Sequence, residues 1–135
     1  MKSAQRVMHE AKSAIFKIPG KPVPAARPRV TKHGTYNEQR YKDWLAVAKT
    51  YARQEWLGLP PMLGKVEVTA VFTGAHGSAD LDNLIKGLLD ALQGIIIVND
   101  RQVSHLEAIR ETVAESDEGE AGTLVNVFQL RGGTV

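Results

Sequence analysis

The 135-residue sequence has no cysteine, which excludes disulfides and cysteine-ligated zinc outright. It has no long apolar run: the longest, "GIIIV" at 94–98, falls far short of the roughly 20 residues that a membrane span needs. The opening "MKSAQRVMHEAK" lacks the apolar stretch of a secretory signal, so a cytoplasmic address with no membrane partner is the expectation. The four histidines, His9, His33, His76 and His105, show no metal-ligand spacing and read as surface or loop residues. Ser78 and Ser104 have no evident base partner, so no nucleophilic pair stands out.

What is present is 43% hydrophobic, enough for the core of one domain. The net charge of +2 conceals an asymmetry. Residues 1–60 hold 12 Lys/Arg against 4 Asp/Glu, a balance of +8, whereas residues 61–135 hold 5 against 11, a balance of −6. A basic half suggests a polyanion as partner. Part of the acidic half is the run "ETVAESDEGE" at 111–120, which reads as a solvated turn.

Residues 1–12 are polar and read as an N-terminal extension; 13–135 read as a single domain. "SAIFKIPG", 13–20, is a strand closed by Pro-Gly. "KPVPAARPRVTKHGTYN", 21–37, is a proline-rich basic loop carrying Lys21, Arg27, Arg29 and Lys32, the last three favoured as phosphate contacts. Tyr41, Trp44, Leu45, Ala48, Ala52 and Trp56 then share one helix face, with a capping box expected from Thr35 and Glu38. Trp44, Trp56 and Tyr51 read as core, not as platforms for stacking bases.

"KVEVTAVFT", 65–73, alternates as a half-buried strand. Leu81, Leu84, Ile85, Leu88 and Leu92 form the apolar face of a second helix that Gly94 should end. A short apolar strand at "IIIVND" follows. Two longer strands at 102–113 and 123–131 are then expected as a hairpin around the acidic turn. The fold expected is α+β, with two helices on one face of a mixed sheet of four or five strands.

"SADLDNLIKGLLDALQG", 78–94, carries the chemistry. Asp80 and Asp82 could simply complement the helix dipole, worth about 0.3–1 kcal/mol each. Asp82 and Lys86 are also spaced for a helical ion pair of about 0.2–0.5 kcal/mol. Two details favour a site instead. Extended backbone just before a helix can aim Asp80 and Asp82 to one side, with Leu81 as anchor. A further carboxylate, Asp100, emerges where an apolar segment ends. Three such acids could hold one or two Mg²⁺, with Lys86 facing a substrate phosphate.

"ADLDNLIKGLLDAL" followed by "VNDRQV" resembles the signature of the RusA-type Holliday junction resolvases: Asp-Leu-Asp-Asn-Leu-x-Lys, Asp-Ala-Leu, then Asp-x-Gln-Val. With "RPRVT" and a later tyrosine, the resemblance spans nearly all of 13–131. It implies that Asp80, Asp82 and Asp100 are catalytic, metal-binding acids and that Lys86 is the catalytic lysine, also touching DNA. Asn83 and Asp90 would be supporting residues. The resemblance further implies a phage- or prophage-type homodimer that uses Mg²⁺, with Mn²⁺ as substitute. Such an enzyme nicks four-way DNA junctions symmetrically near CC dinucleotides, leaving 5′-phosphates, in recombination and repair. Two departures are visible: "TGAHGSA" lacks the arginines that some members carry before the first aspartate, and Asn99 precedes Asp100 where some have a second aspartate. Two rival readings are a nuclease of the same fold acting on flaps or forks, and a catalytically silent DNA-binding module.

Overall fold

A computed structural model describes residues 12–25 and 36–130. The elements, in order, are β1 (Ser13–Pro19), α1 (Tyr36–Trp56), β2 (Val66–Thr73), α2 (Leu81–Leu92), a 3₁₀ turn (Asp100–Gln102), β3 (Val103–Glu111) and β4 (Gly122–Gln129). Residues 1–11 and 26–35 lie outside the described residues, and with them Arg27, Arg29, Lys32 and the expected Thr35 cap.

The four strands form one mixed sheet in the order β1-β4-β2-β3. β4 runs antiparallel to both β1 and β2, whereas β3 runs parallel to β2. Two helices on a four-stranded mixed sheet match the α+β expectation.

The hairpin does not form. β2 lies between β3 and β4, so the acidic connection passes the end of β2 instead of making a tight turn. β2 takes the interior place because it can pair on both edges and bury Val66, Val68, Ala70 and Phe72 under the helices, all fully inaccessible. Gly74 N–H donates to the Glu111 carbonyl at 3.0 Å and Thr73 Oγ1 to Glu111 Oε1 at 2.8 Å, which ties the crossing to β2. The acidic run is exposed for most of its length, as expected of a solvated turn, but Lys17 on β1 pairs with Glu118 and Glu120 and holds it down.

The apolar 95–97 segment is not a strand either. Gly94 adopts φ +82°, and the amides of Ile95, Ile96 and Ile97 all turn back to the Leu92 carbonyl at 3.0–3.2 Å. Glycine is favoured there because a Cβ clashes in the left-handed region. The tight turn drops Ile96 and Ile97 into the core, where both are fully buried.

The two helices share one face of the sheet. Trp44, Ala48, Ala52 and Trp56 of α1 meet Leu84, Leu88, Ala91 and Leu92 of α2 within a single core. Both tryptophans are buried, and Trp56 Nε1 donates to the Pro60 carbonyl at 3.0 Å, so they serve packing.

Where the helices touch, Gly87 is the spacer. A Cβ there would lie 3.0 Å from Tyr41 Cε1 and 3.5 Å from the Ala25 amide nitrogen. Tyr41 is itself fixed by its hydroxyl, which donates to Asp90 Oδ2 at 2.8 Å. Gly87→Ala should therefore lower stability by about 1–2 kcal/mol through overpacking, in place of the ~1 kcal/mol gain usual for glycine in a helix interior. Urea denaturation distinguishes the two signs.

Candidate active site

Asp80 is the N-cap of α2, with extended backbone (φ −80°, ψ 138°), yet its side chain makes no capping hydrogen bond. Its carbonyl begins the helix by accepting from Leu84 N–H at 3.0 Å. Asp82 Oδ1 accepts from the Asn83 amide at 2.9 Å. Asp80, Asp82 and Lys86 are all exposed, and no ion pair joins Asp82 to Lys86. Neither structural use considered for these acids, side-chain cap or helical ion pair, is realised.

The approach to Asp80 is held from behind. Arg110 on β3 donates to the carbonyl of Ala79, the residue before Asp80, and to that of His76 at 2.6 Å. Ala79 is buried, and its amide donates to the same His76 carbonyl at 2.9 Å. One guanidinium thus fixes the turn from which the acid pair projects. Ser78 does have a basic neighbour, contrary to expectation: its Oγ lies 2.7 Å from His76 Nδ1. That ring nitrogen also accepts the Ser78 amide at 3.1 Å, so the imidazole closes a local turn.

The other side of α2 carries Asp90, which accepts the Tyr41 hydroxyl. Burial, and then the hydrogen bond and charge of Asp90, push the Tyr41 hydroxyl well above its usual pKa. Asp90 is engaged in joining the two helices. Asn83 supports through its backbone, its carbonyl accepting the Ala25 amide at 2.9 Å. The described start of the basic loop is therefore seated on α2 one residue beyond Asp82.

Asp100 opens the 3₁₀ turn just before β3 and is exposed. A single side chain organises that turn. Gln102 Oε1 accepts the amides of Val98 and Asn99 at 2.7 and 2.9 Å. Its Nε2 donates to the carbonyls of Met62 and Gly64 at 2.8 and 2.9 Å. Asn99 adds a reciprocal cap by accepting the Arg101 amide at 2.9 Å.

One chain does not bring the three acids together. β2, α2 and β3 form a crossover: Asp80 lies beside Arg110 near the end of β3, whereas Asp100 precedes its start. Seven strand residues at about 3.3 Å each put roughly 20–25 Å between the two ends. No group of three His, Cys, Asp or Glu able to hold a metal occurs among the described residues.

The sequence matches the family of endodeoxyribonuclease RusA over residues 19–127, most of the chain. The chain belongs to the RusA endodeoxyribonuclease family. The matched span contains Asp80, Asp82, Lys86, Asp90 and Asp100. No match is found among curated proteins. The family is one of DNA endonucleases, so nuclease activity is the frame for this geometry. Two exposed carboxylates at one helix start suit a hard divalent cation, which takes one or two carboxylates and fills its octahedron with water and phosphate oxygens. No helix among the described residues is long and apolar enough to cross a membrane.

Arg110 and Gln102 escape a linear reading. Gln102 stands in the Asp-x-Gln-Val motif, but its carbonyl partners lie about 40 residues away, and those of Arg110 about 30. Gln102→Glu keeps the acceptor but turns a carboxylate on two carbonyls. It should cost about 2 kcal/mol in a urea titration. It should also slow DNA cleavage at least tenfold by displacing Asp100. Unchanged cleavage in a destabilised variant would mean that the clasp serves folding alone.

Proposed function

We propose that this protein is a Mg²⁺-dependent endonuclease that resolves four-way DNA junctions by paired nicks, acting as a homodimer in recombination and repair. The observation that carries this reading is Asp80: an N-cap residue whose carboxylate caps nothing and stands exposed beside Asp82, in a chain of this family. The separation of Asp100 supports the dimer. If all three acids hold the cation, Asp80 and Asp82 of one protomer must be completed by Asp100 of the other.

A bound Mg²⁺, or Mn²⁺ in its place, would supply an activated water and charge neutralisation at the phosphate. The chain's own groups do the rest. Lys86, one turn beyond Asp82 and without an ion-pair partner on its own helix, faces charge that builds on the phosphoryl oxygens. Hydrolysis adds water oxygen to phosphorus and breaks the bond to O3′, giving a 5′-phosphate and a 3′-hydroxyl. Arg27, Arg29 and Lys32 contact the duplex arms, delivered by the loop whose start is seated on Asn83.

Mixing two inactive variants tests the shared site. Asp80→Asn and Asp100→Asn should each abolish cleavage of a labelled synthetic junction in Mg²⁺. After co-refolding at equal amounts, half of the dimers are mixed, and each mixed dimer holds one intact site. Cleavage should return to about a quarter of wild type, as single nicks, by mass action on random pairing. No recovery would place all three acids in one protomer's site.

Lys86→Met should lower the single-turnover rate by about 10²–10³, the scale of losing one transition-state charge stabiliser. Its melting temperature and junction affinity should stay near wild type. Near-normal cleavage would leave Lys86 as a solvated helix residue.

A further inference from the structure

Leu63 and Val98 are exposed side chains on backbone that is bound down. Three consecutive carbonyls, of Met62, Leu63 and Gly64, each accept a glutamine amide. Gln102 Nε2 takes the outer two at 2.8 and 2.9 Å, and Gln129 Nε2 takes the middle one at 2.8 Å. Met62 is buried, and its N–H donates to the Ile96 carbonyl at 2.7 Å. The same Gln102 holds Val98 by accepting its amide. Yet Leu63 is 66% exposed and Val98 55%. Single apolar side chains on a surface are ordinary. Two displayed on one clasp, with their backbone fixed, call for a partner.

The clasp also fixes their place. Asp100 follows Val98 by two residues, in the turn that Gln102 closes. Lys65 and Arg101, close by in the chain, are exposed, and no ion pair among the described residues engages them. An apolar pair beside two uncommitted cations suits a nucleobase with its flanking phosphates. A protein seated there would cover the carboxylate that the reaction uses, whereas DNA brings a phosphate to it.

We infer that Leu63 and Val98 form a wedge that enters the branch of the junction and parts the stacked bases there. The strand then bends, and its phosphate reaches the site that holds Asp100. The inference rests on the junction-resolving reading above and names how that site selects branched DNA. Apolar side chains inserted between base steps kink a duplex at the cost of unstacking it. That cost is least where pairing and stacking are already interrupted. Intact duplex therefore resists the wedge and a branch admits it, without any base being read.

The probe is a synthetic four-way junction with 2-aminopurine at the branch, whose fluorescence is quenched by stacking. Binding of the Asp80→Asn protein should raise the signal, and adding Leu63→Ser with Val98→Ser should abolish the rise. In the otherwise native chain, the two serines should slow junction cleavage in Mg²⁺ about tenfold or more, the unstacking being left unassisted. A junction built with unpaired bases at its branch should restore the rate, because its bases are already apart. Leu124→Ser, exposed on the open face of the sheet, should change neither readout. Wild type is assayed first: an uncut junction would overturn the resolving reading and the wedge with it. Suppose instead that wild type cuts, but the serine pair keeps the fluorescence rise or stays slow on the unpaired junction. Either result would overturn the wedge alone. So would a serine pair whose mass by light scattering falls below that of wild type, since the two side chains would then face protein.

Discussion

Two parallel strands cannot be joined by a tight turn, because the chain leaves one at its end and must enter the next at its beginning. Parallel pairing of β2 with β3 therefore obliges the chain to travel back along the sheet, and α2 is that return path. Everything at the candidate site follows. The start of α2, with Asp80 and Asp82, is delivered at the end of β2. Asp100 is delivered at the beginning of β3. The acids belong to opposite ends of one unit by topology, whatever their proximity in sequence.

Each end is then fixed by a polar side chain on or next to β3. At one end Arg110 collects two carbonyls of the turn before Asp80; at the other Gln102 uses its whole amide on two N–H groups and two carbonyls. Part-buried backbone groups without partners would cost about 1–3 kcal/mol each, so these clasps hold irregular chain that no helix or strand ladder can satisfy. They also leave the carboxylates themselves uncommitted. Asp90 is the counter-example: it is engaged by a half-buried tyrosine and joins helix to helix.

Much of this was legible along the chain. Helix and strand periods located β1, α1, β2 and α2 to within a residue or two, because each buries one face and its pattern records that face. The aspartate motif, Lys86 and the family were legible as well, since they lie within one short span. Two expectations about strands failed for a common reason: a local pattern does not report what the segment packs against. The 95–98 segment is apolar and reads as a strand, but apolarity reports burial and not conformation: the turn at Gly94 puts Ile96 and Ile97 in the core and leaves Val98 exposed. Strands β3 and β4 were read as a hairpin because they are consecutive, but pairing depends on which strand can be covered on both edges. That strand was β2.

The local sequence by itself determined the elements, their buried faces and the identity of the acids, because these depend on residue type and on spacings within one helix turn or strand. Tertiary structure decided which strands are neighbours and that Asp80 and Asp100 are held apart. It also decided which distant carbonyls Arg110 and Gln102 would hold. Those outcomes depend on contacts between residues about 30 to 40 positions apart, whose partners are chosen by the packing of the whole domain and leave no period in the chain.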